Sequence, residues 1–222
     1  MPPAVVPTLD VERSFWDRGD AVVVGIDEVG RGSWAGPVTV AAVVAPDEHL
    51  DGVRDSKLLS PARRLAAAAA VRSWAHAVGI GHASHDECDA LGMTAALRLA
   101  AERALAEVRS QGFVPDRVVL DGKHDYLGLG GRVHTVVKGD QTVLSVAAAS
   151  VVAKVVRDDL MADAAEHYPH YGFEGNRGYP APQHICALAG YGPCAIHRRS
   201  WSFVDDLAWP SLRIGRALTL FG

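Results

Sequence analysis

The sequence predicts an α/β protein in which a central sheet of mixed strand direction is flanked by helices, with a C-terminal extension of loops and helix. Two apolar segments of strand length come first, and later apolar segments alternate with helical patterns. This order is typical of a sheet with both antiparallel and parallel neighbours. A composition of 49% hydrophobic and 22% charged residues over 222 residues is typical of a globular protein and excludes wholesale disorder.

The predicted strands are short apolar runs that end at turn residues. They cover residues 21–26, 38–44, 78–83, 118–120 and 133–137. Asp27 follows the first run, and Pro46 stops the second. The chain must turn between these two runs, at Gly30-Arg31-Gly32.

Three helices are predicted from helical spacing of apolar residues and from end signals. They cover residues 60–76, 94–110 and 145–167, of which 94–110 shows the helical spacing and 145–167 has a small, apolar first half. Ser60 is a favourable N-cap, and Pro61 suits the first helical position. Residues 168–200 are predicted to form loops around one short helix near His184, and a final helix is predicted from Ser211.

The chain is predicted to have an irregular arm (1–20), one main domain (21–205) and a tail (206–222). No run of 18 apolar residues predicts a membrane span, and the first twenty residues do not have the pattern of a secretory signal. Three cysteines without a CxxC pattern disfavour a zinc ribbon or disulfide scaffold and fit a cytoplasmic protein. The net charge of −4 favours an enzyme or a specific binder over a protein that coats nucleic acid.

Acidic residues follow the ends of three predicted strands. They are Asp27, Glu28, Asp121 and Asp140. Ligand sites of open α/β sheets collect at strand ends, and carboxylates gathered there repel one another unless a cation neutralises them. Hard oxygen ligands suit Mg²⁺ or Mn²⁺, and two such ions about 3.5–4 Å apart can activate water and stabilise the leaving oxygen of a phosphodiester. Any one of these residues alone could simply cap a turn, but four together favour a metal site.

Glycines and basic residues accompany this acidic pattern. The loop Gly30-Arg31-Gly32 follows the acidic pair and would let a backbone and an arginine approach a sugar-phosphate, although an ordinary tight turn is the alternative. Ser56 and Lys57 offer a hydroxyl and a cation to a phosphate, or belong to a solvated turn. Lys138 places a cation next to the acidic residue at position 140.

Two further segments carry basic residues with less specific patterns. Residues 168–179 interleave aromatic and basic side chains, which suits stacking on sugars or bases as much as packing under a long loop. Arg157 and Asp158, on the predicted long helix, are interpreted as a structural ion pair or part of a solvated face.

Several of these motifs together resemble those of bacterial ribonuclease HII, in family order from about residue 20 to residue 204. The motifs lie at residues 25–32, 35–38, 55–57, 120–122, 138–140, 148–158, 171–173, 176–179, 184 and 197–200. Two departures stand out. Ser33-Trp34 replaces the Pro-Leu pair that is common in the family, and Arg177 replaces the usual lysine.

The resemblance implies a ribonuclease H-like fold for the catalytic domain 21–205, with Mg²⁺ or Mn²⁺ as cofactor. It implies endonucleolytic cleavage of RNA·DNA hybrids and of ribonucleotides embedded in duplex DNA, on the 5′ side of the ribose. The products would carry 3′-hydroxyl and 5′-phosphate ends, which fits ribonucleotide removal during DNA repair and replication.

The resemblance also implies a role for each matched residue. The catalytic and metal-binding set would be Asp27, Glu28, Asp121 and Asp140. Gly30, Arg31 and Gly32 would read the 2′-hydroxyl, and Tyr179 would stack at the ribonucleotide–deoxyribonucleotide junction. The other substrate contacts would be Ser56, Lys57, Lys138 and Arg177.

Two other functions and one partner accompany this interpretation. Ribonuclease HIII usually carries an extra N-terminal domain, for which the twenty residues before the first strand are too few. A non-catalytic nucleic-acid binding module would tolerate loss of a carboxylate, yet all four are present. Residues 218–221, Leu-Thr-Leu-Phe, resemble the core of sliding-clamp-binding peptides, although Ala217 replaces the leading Gln. Residues 217–222 are therefore a candidate clamp contact, and the alternative is a terminal helix packed on its own domain.

Overall fold

The computed structural model describes residues 6–53, 56 and 59–207, and the strands within them form one mixed sheet in the order β3-β2-β1-β4-β5. The strands are β1 (Val23–Val29), β2 (Val38–Val44), β3 (Ala77–Ala83), β4 (Arg117–Asp121) and β5 (Val133–Val136). Strand β2 is antiparallel to β1, whereas β4 is parallel to both β1 and β5. The mixed sheet predicted from the sequence is therefore confirmed.

Helices account for most of the remaining described chain. They are α1 (Asp10–Trp16), α2 (Pro61–Trp74), α3 (His85–Leu91), α4 (Met93–Ser110), α5 (Gly139–Thr142), α6 (Leu144–His167), α7 (Phe173–Asn176) and α8 (Pro182–Tyr191). The three predicted helices correspond to α2, α4 and α6 within two residues at each end, and the Ser60 hydroxyl accepts the predicted capping bond from the backbone of Arg63. Within the described residues, no helix is both long and apolar enough to cross a bilayer.

The prediction of an irregular arm over residues 1–20 is wrong for residues 10–16, which form α1. Phe15 lies in a buried cluster with Val23 and Val119, and this burial favours helix formation in a segment too short to be stable alone. Glu12 is also fully buried.

Helix α3 was missed by the sequence analysis although it has a clear start signal. The Ser84 hydroxyl accepts from the backbone of Glu87, and the Glu87 carboxylate accepts from the backbone of Ser84. This reciprocal pair is a capping box. Gly92, at a φ of +77°, ends the helix.

The chain divides into two compact units, each of which is described by itself. The first unit comprises residues 1–29, 39–82 and 98–155, and the second comprises residues 30–38, 83–97 and 156–222. The first unit contains β1, β4 and β5, and the second contains α3, α7 and α8. The helix predicted from Ser211 lies outside the described residues.

Gly25 of β1 lies directly against the start of α6. A Cβ at this position would lie 2.4 Å from the backbone carbonyl carbon of Ser145. Because backbone atoms cannot yield without moving α6, we expect Gly25→Ala to lower the free energy of unfolding by about 1–3 kcal/mol in urea denaturation. The control is Gly190→Ala in α8, where nothing lies within 4 Å of the added methyl group. An unchanged stability of Gly25→Ala would contradict this packing.

Candidate active site

The acidic residues of the first unit collect at one edge of the sheet because three strands run in the same direction. Ile26 pairs with Leu120 in the parallel β1–β4 ladder, so Asp27 and Asp121 follow at the same level of adjacent strands. Asp121 pairs in turn with Val136, the last residue of β5. Carboxyl ends of parallel strands are the usual place for a ligand site in an α/β sheet.

Asp27 is buried, with 7% of its surface exposed. Its Oδ1 accepts a hydrogen bond from the backbone N–H of Glu28 at 2.8 Å. Burial raises the pKa of Asp27 well above its usual range, and the negative charges of Glu28 and Asp121 raise it further. A buried carboxylate in this position is therefore stabilised by any cation that binds near it.

Two serines support Asp27 from within the first unit. A hydrogen bond from the side chain of Ser150 opposes the rise in the pKa of Asp27. The hydroxyls of Ser150 and Ser56 lie 3.2 Å apart, and Ser56 is only 4% exposed. The sequence suggested that Ser56 contacts a phosphate. In the structure its hydroxyl points inward and is hydrogen-bonded to the buried Ser150.

Asp121 is tied to the segment that carries Asp140. Oδ1 of Asp121 accepts a hydrogen bond from the backbone N–H of Gly139 at 2.7 Å. Asp140 follows in the first turn of α5 and is buried at 6% exposure. Lys138, immediately before α5, is exposed and adopts a left-handed conformation with a φ of +58°. The structure thus anchors the segment of Asp140 at the edge where Asp27 and Asp121 lie.

These carboxylates do not form a ready-made metal centre. Within residues 6–53, 56 and 59–207, no three His, Cys, Asp or Glu side chains are arranged to hold an ion. Asp27, Glu28 and Asp121 are nevertheless close enough for the charges of the other two to raise the pKa of Asp27. The donor set consists of hard oxygen atoms, which suit Mg²⁺ or Mn²⁺ better than zinc.

The glycine loop predicted to read the sugar, residues 30–32, belongs to the second unit. Gly30 is closely surrounded by other atoms of that unit. Gly30 has a φ of +89°, and a Cβ there would lie 2.2 Å from Nε of Arg157 and 2.7 Å from the carbonyl oxygen of Pro37. Gly32 is exposed, and the nearest atom to a Cβ there is 3.9 Å away, in the ring of Tyr179. Glycine is therefore required at position 30 by close packing, and at position 32 it leaves the backbone open to a ligand.

Arg157 organises this loop, a role that the sequence analysis missed. Its guanidinium donates to the carbonyl oxygens of Pro37 (2.8 Å), Ala35 (3.1 Å) and Arg177 (2.9 Å), and to the hydroxyl of Ser33 (2.7 Å). Burial lowers the pKa of Arg157 to about 10, so that the side chain stays charged. The solvated face proposed for this residue is wrong, because Arg157 is fully buried.

A sequence signal for this burial exists along α6. Arg157, Met161 and Ala165 are spaced by four residues and therefore lie on one face of the helix. Met161 and Ala165 belong to a buried apolar cluster of the second unit. A charged residue on the apolar face of a helix indicates a buried role.

Arg198 is a second buried arginine that binds the backbone of the glycine loop and of the residues after it. Its guanidinium donates twice to the carbonyl oxygen of Gly36, at 3.0 and 3.2 Å, and once to that of Arg31, at 3.1 Å. The side chain of Arg31 is exposed. The backbone of the loop is thus fixed from the interior while one cation of the loop faces solvent.

Tyr179 lies against the glycine loop. Its phenol oxygen accepts a hydrogen bond from the backbone N–H of Gly30 at 3.2 Å. The guanidinium carbon of Arg157 lies 5.5 Å from the centre of the ring, within range of a cation–π contact. Tyr179 is half-buried, so part of its ring remains accessible.

The remaining predicted contacts fall in different places. Lys57 lies outside the described residues. Nε of Arg177 lies 3.7 Å from a carboxylate oxygen of Asp158, and both side chains are largely buried. This pair forms an ion pair of the kind proposed for the helix, with Arg177 rather than Arg157 as the cation.

The departures at Ser33 and Trp34 have structural roles. The Ser33 hydroxyl lies 2.9 Å from the carbonyl oxygen of Gly30 and receives the bond from Arg157. The Trp34 ring stacks on Phe203 at 4.5 Å between ring centres. Both residues therefore stabilise the second unit, and neither side chain is predicted to contact a substrate.

Known proteins resemble this chain in sequence and in fold. The family model for ribonuclease HII matches residues 24–204. A ribonuclease HII of Streptomyces avermitilis is 52% identical over 210 residues, which cover 93% of this chain and 89% of that protein. This similarity extends over both units.

Two solved structures share the fold. The ribonuclease H2 of Pyrococcus horikoshii OT3 superposes with a TM-score of 0.68 at 24% identity, covering 83% of this chain and 96% of that one. The ribonuclease HII in a PCNA complex from Archaeoglobus fulgidus superposes with a TM-score of 0.63 at 26% identity, covering 81% and 95%. The ribonuclease H-like fold implied by the sequence motifs is therefore confirmed. Because the family model matches residues 24–204 and the Streptomyces relative is 52% identical over 93% of the chain, this chain belongs to the ribonuclease HII family and is an endonuclease of the ribonuclease H type that acts on RNA–DNA.

Proposed function

We propose that this enzyme hydrolyses the phosphodiester on the 5′ side of ribonucleotides, both in RNA·DNA hybrids and singly embedded in duplex DNA. The observation that carries the proposal is the gathering of Asp27, Glu28 and Asp121 at the carboxyl edge of parallel strands, beside the segment of Asp140. Its products would have 3′-hydroxyl and 5′-phosphate ends. Such cuts would serve ribonucleotide removal in DNA repair and replication.

The carboxylates would hold Mg²⁺ or Mn²⁺, and two such ions would supply an activated water and charge stabilisation at the leaving oxygen. Burial disfavours the negative charge of Asp27, and a bound cation would offset this cost. Cation binding would therefore stabilise the ionised form of Asp27. Asp121 would hold its orientation through the backbone N–H of Gly139. Glu28 and Asp140 would complete the ligand set at the same edge.

Recognition of the sugar is assigned to the second unit. Gly32 and Arg31 are exposed, and the backbone amide groups near them would approach the 2′-hydroxyl that distinguishes RNA from DNA. Tyr179 would pack on the next sugar, where an added hydroxyl would be crowded. Lys138 and Arg177 are assigned to the phosphates around the cut, and the same assignment is made for Lys57.

The decisive experiment uses a labelled duplex with one ribonucleotide in one DNA strand. Cleavage 5′ of that ribonucleotide in Mg²⁺ or Mn²⁺, and none after chelation with EDTA, is the expected result. An all-DNA duplex of the same sequence is the control substrate. Tight binding of the duplex without cleavage under any metal condition would instead indicate a non-catalytic binding module.

We also propose that residues 217–222 bind a sliding clamp. The motif at residues 218–221 supports this, and the solved structure of the Archaeoglobus fulgidus ribonuclease HII is that of a complex with PCNA. These residues lie outside the described part of the chain.

Deletion of residues 217–222 is expected to abolish retention of purified bacterial clamp in a pull-down while leaving cleavage of a short duplex unchanged, because two or three apolar anchors supply most of the energy of such a contact. Equal retention after the deletion would exclude this contact.

A further inference from the structure

A chain of hydrogen bonds in the second unit joins two buried histidines to Tyr179. The backbone N–H of Cys194 donates to Nδ1 of His197 at 2.9 Å. The Nε2 atoms of His197 and His184 lie 2.9 Å apart, and Nδ1 of His184 lies 2.9 Å from the carbonyl oxygen of Tyr179. Neither histidine is more than 1% exposed.

The backbone amide at one end of this relay determines where each proton resides. Because an amide N–H only donates, Nδ1 of His197 is the acceptor, and Nε2 of a neutral His197 carries the hydrogen. Nε2 of His184 then accepts, which leaves the hydrogen of His184 on Nδ1, facing the carbonyl of Tyr179. The relay therefore runs in one direction, from Cys194 to Tyr179.

The relay needs both rings neutral, and their surroundings keep them so. Burial, together with the neighbouring His184, Arg199 and His85, lowers the pKa of His197 to about 3, although the hydrogen bond from Cys194 opposes this shift. Burial also lowers the pKa of His184. The Cys194 sulfur lies 3.1 Å from Nδ1 of His197, and burial raises the pKa of this thiol to about 11, so no charge forms there.

Tyr179 is held at three points, of which the relay is one. Its backbone N–H donates to the carbonyl oxygen of Asn176 at 3.0 Å, and its phenol oxygen accepts from Gly30. His184 holds the third point, the peptide group that joins Tyr179 to Pro180. The orientation of the aromatic ring is thus determined by the loop at one end and by the relay at the other.

We propose that the His184–His197 pair positions Tyr179 against the junction sugar and thereby sets the preference of the enzyme for single ribonucleotides in DNA over all-RNA strands. This inference rests on the proposed function, in which Tyr179 packs on that sugar. The histidines contact no substrate in this scheme, so both are positioning residues. Small displacements of a positioning contact cost rate because the packed ring must match the sugar closely.

Two amide substitutions of His184 separate the two hydrogen bonds of its ring. In His184→Asn the amide nitrogen occupies about the place of Nδ1, so the donor to the carbonyl of Tyr179 is kept and the partner of His197 is lost. In His184→Gln the amide reaches the place of Nε2, so the partner of His197 is kept and the donor to Tyr179 is lost. The two variants are thus matched in chemistry and opposite in effect.

The readout is the ratio of kcat/KM for a duplex with one ribonucleotide to kcat/KM for an all-RNA strand paired with DNA. We expect His184→Gln to lower this ratio about fivefold, the effect of one lost hydrogen bond, and His184→Asn to keep it within about twofold of wild type. The proposal would be overturned if His184→Gln and His184→Asn had the same ratio, whether at the wild-type level or below it. If His184→Gln does not fold, His184→Phe replaces it, since it also removes the donor while keeping a ring.

Tyr171→Phe is the control for a weakened interior. Its hydroxyl donates to the carbonyl oxygen of Gly192 at 2.6 Å, and phenylalanine keeps the ring that packs on His184 and His197. We expect this variant to lose stability in thermal unfolding without a change in substrate ratio. A ratio that falls in Tyr171→Phe as much as in His184→Gln would assign the histidines a purely structural role.

A double substitution tests whether the pair acts through Tyr179. In a Tyr179→Ala background, His184→Gln is expected to change the substrate ratio no further, because the ring that it positions is gone. Independent, additive effects would overturn the proposal. Failure of the proposed function is distinguishable, because wild-type enzyme would then show no cleavage at a single ribonucleotide.

Discussion

Asp121→Asn is expected to lower turnover about a thousandfold or more while leaving the fold intact. The substitution keeps an oxygen that accepts the hydrogen bond from Gly139, and it removes only the negative charge. Loss of one carboxylate from a site that holds metal ions weakens their binding and removes several kcal/mol of transition-state stabilisation, which corresponds to this factor. The measurement is single-turnover cleavage of a duplex with one ribonucleotide over a range of Mg²⁺ concentrations.

The matched control for this charge removal is Asp116→Asn. Asp116 lies in the same unit, where its Oδ2 accepts hydrogen bonds from the backbone N–H groups of Ala21 and Val22. It is outside the acidic edge of the sheet, so its variant is expected to turn over like wild type. Near wild-type turnover of Asp121→Asn at limiting Mg²⁺ would contradict the assignment of Asp121 as a metal ligand.

Tyr179→Ala is expected to lower the preference for a single ribonucleotide over an all-RNA strand by roughly ten- to a hundredfold. A stacking contact with a base is worth about 1–3 kcal/mol, and loss of a comparable contact with the sugar has this effect on rate. The structure supports this role because Tyr179 is half-buried, joined to the loop at Gly30 and placed near Arg157. The measurement compares kcat/KM on the two substrates for each variant.

Tyr179→Phe separates the ring from its hydroxyl. This variant keeps the aromatic surface and loses only the acceptor for the backbone N–H of Gly30. It is expected to keep most of the substrate preference, with a loss of about fivefold or less. An unchanged preference in Tyr179→Ala would show that Tyr179 does not read the junction.

The position of the acidic site residues could be predicted from the sequence, whereas the position of Ser56 could not. The acidic edge could be predicted because Asp27 and Asp121 each come directly after a buried apolar run of strand length. Parallel pairing of β1 with β4, and of β4 with β5, then brings Asp27 and Asp121 to the same edge. The inward position of Ser56 could not be predicted, because its partner Ser150 is 94 residues away in the chain.

The segment before the first strand also takes its structure from contacts that are distant in the sequence. Its seven-residue helix α1 was not predicted, since a segment this short has little helical stability of its own. Burial of Phe15 against β1 and β4 stabilises it. By contrast, α4 is long enough for its apolar spacing to be evident in the sequence, and α2 has a start signal at Ser60-Pro61.

The sequence by itself determined the mixed sheet, its long helices, the acidic edge and the family of the chain, because these depend on local patterns and on motifs in a fixed order. The tertiary structure alone decided the roles of Arg157 and of the His184–His197 pair. Arg157 bonds to Ser33 across 124 positions of sequence, and the two histidines, which are 13 positions apart, acquire their tautomers only through their bond to each other. A side chain that is buried and charged, or buried and polar, takes its function from the partners that folding brings to it, and no local pattern specifies those partners.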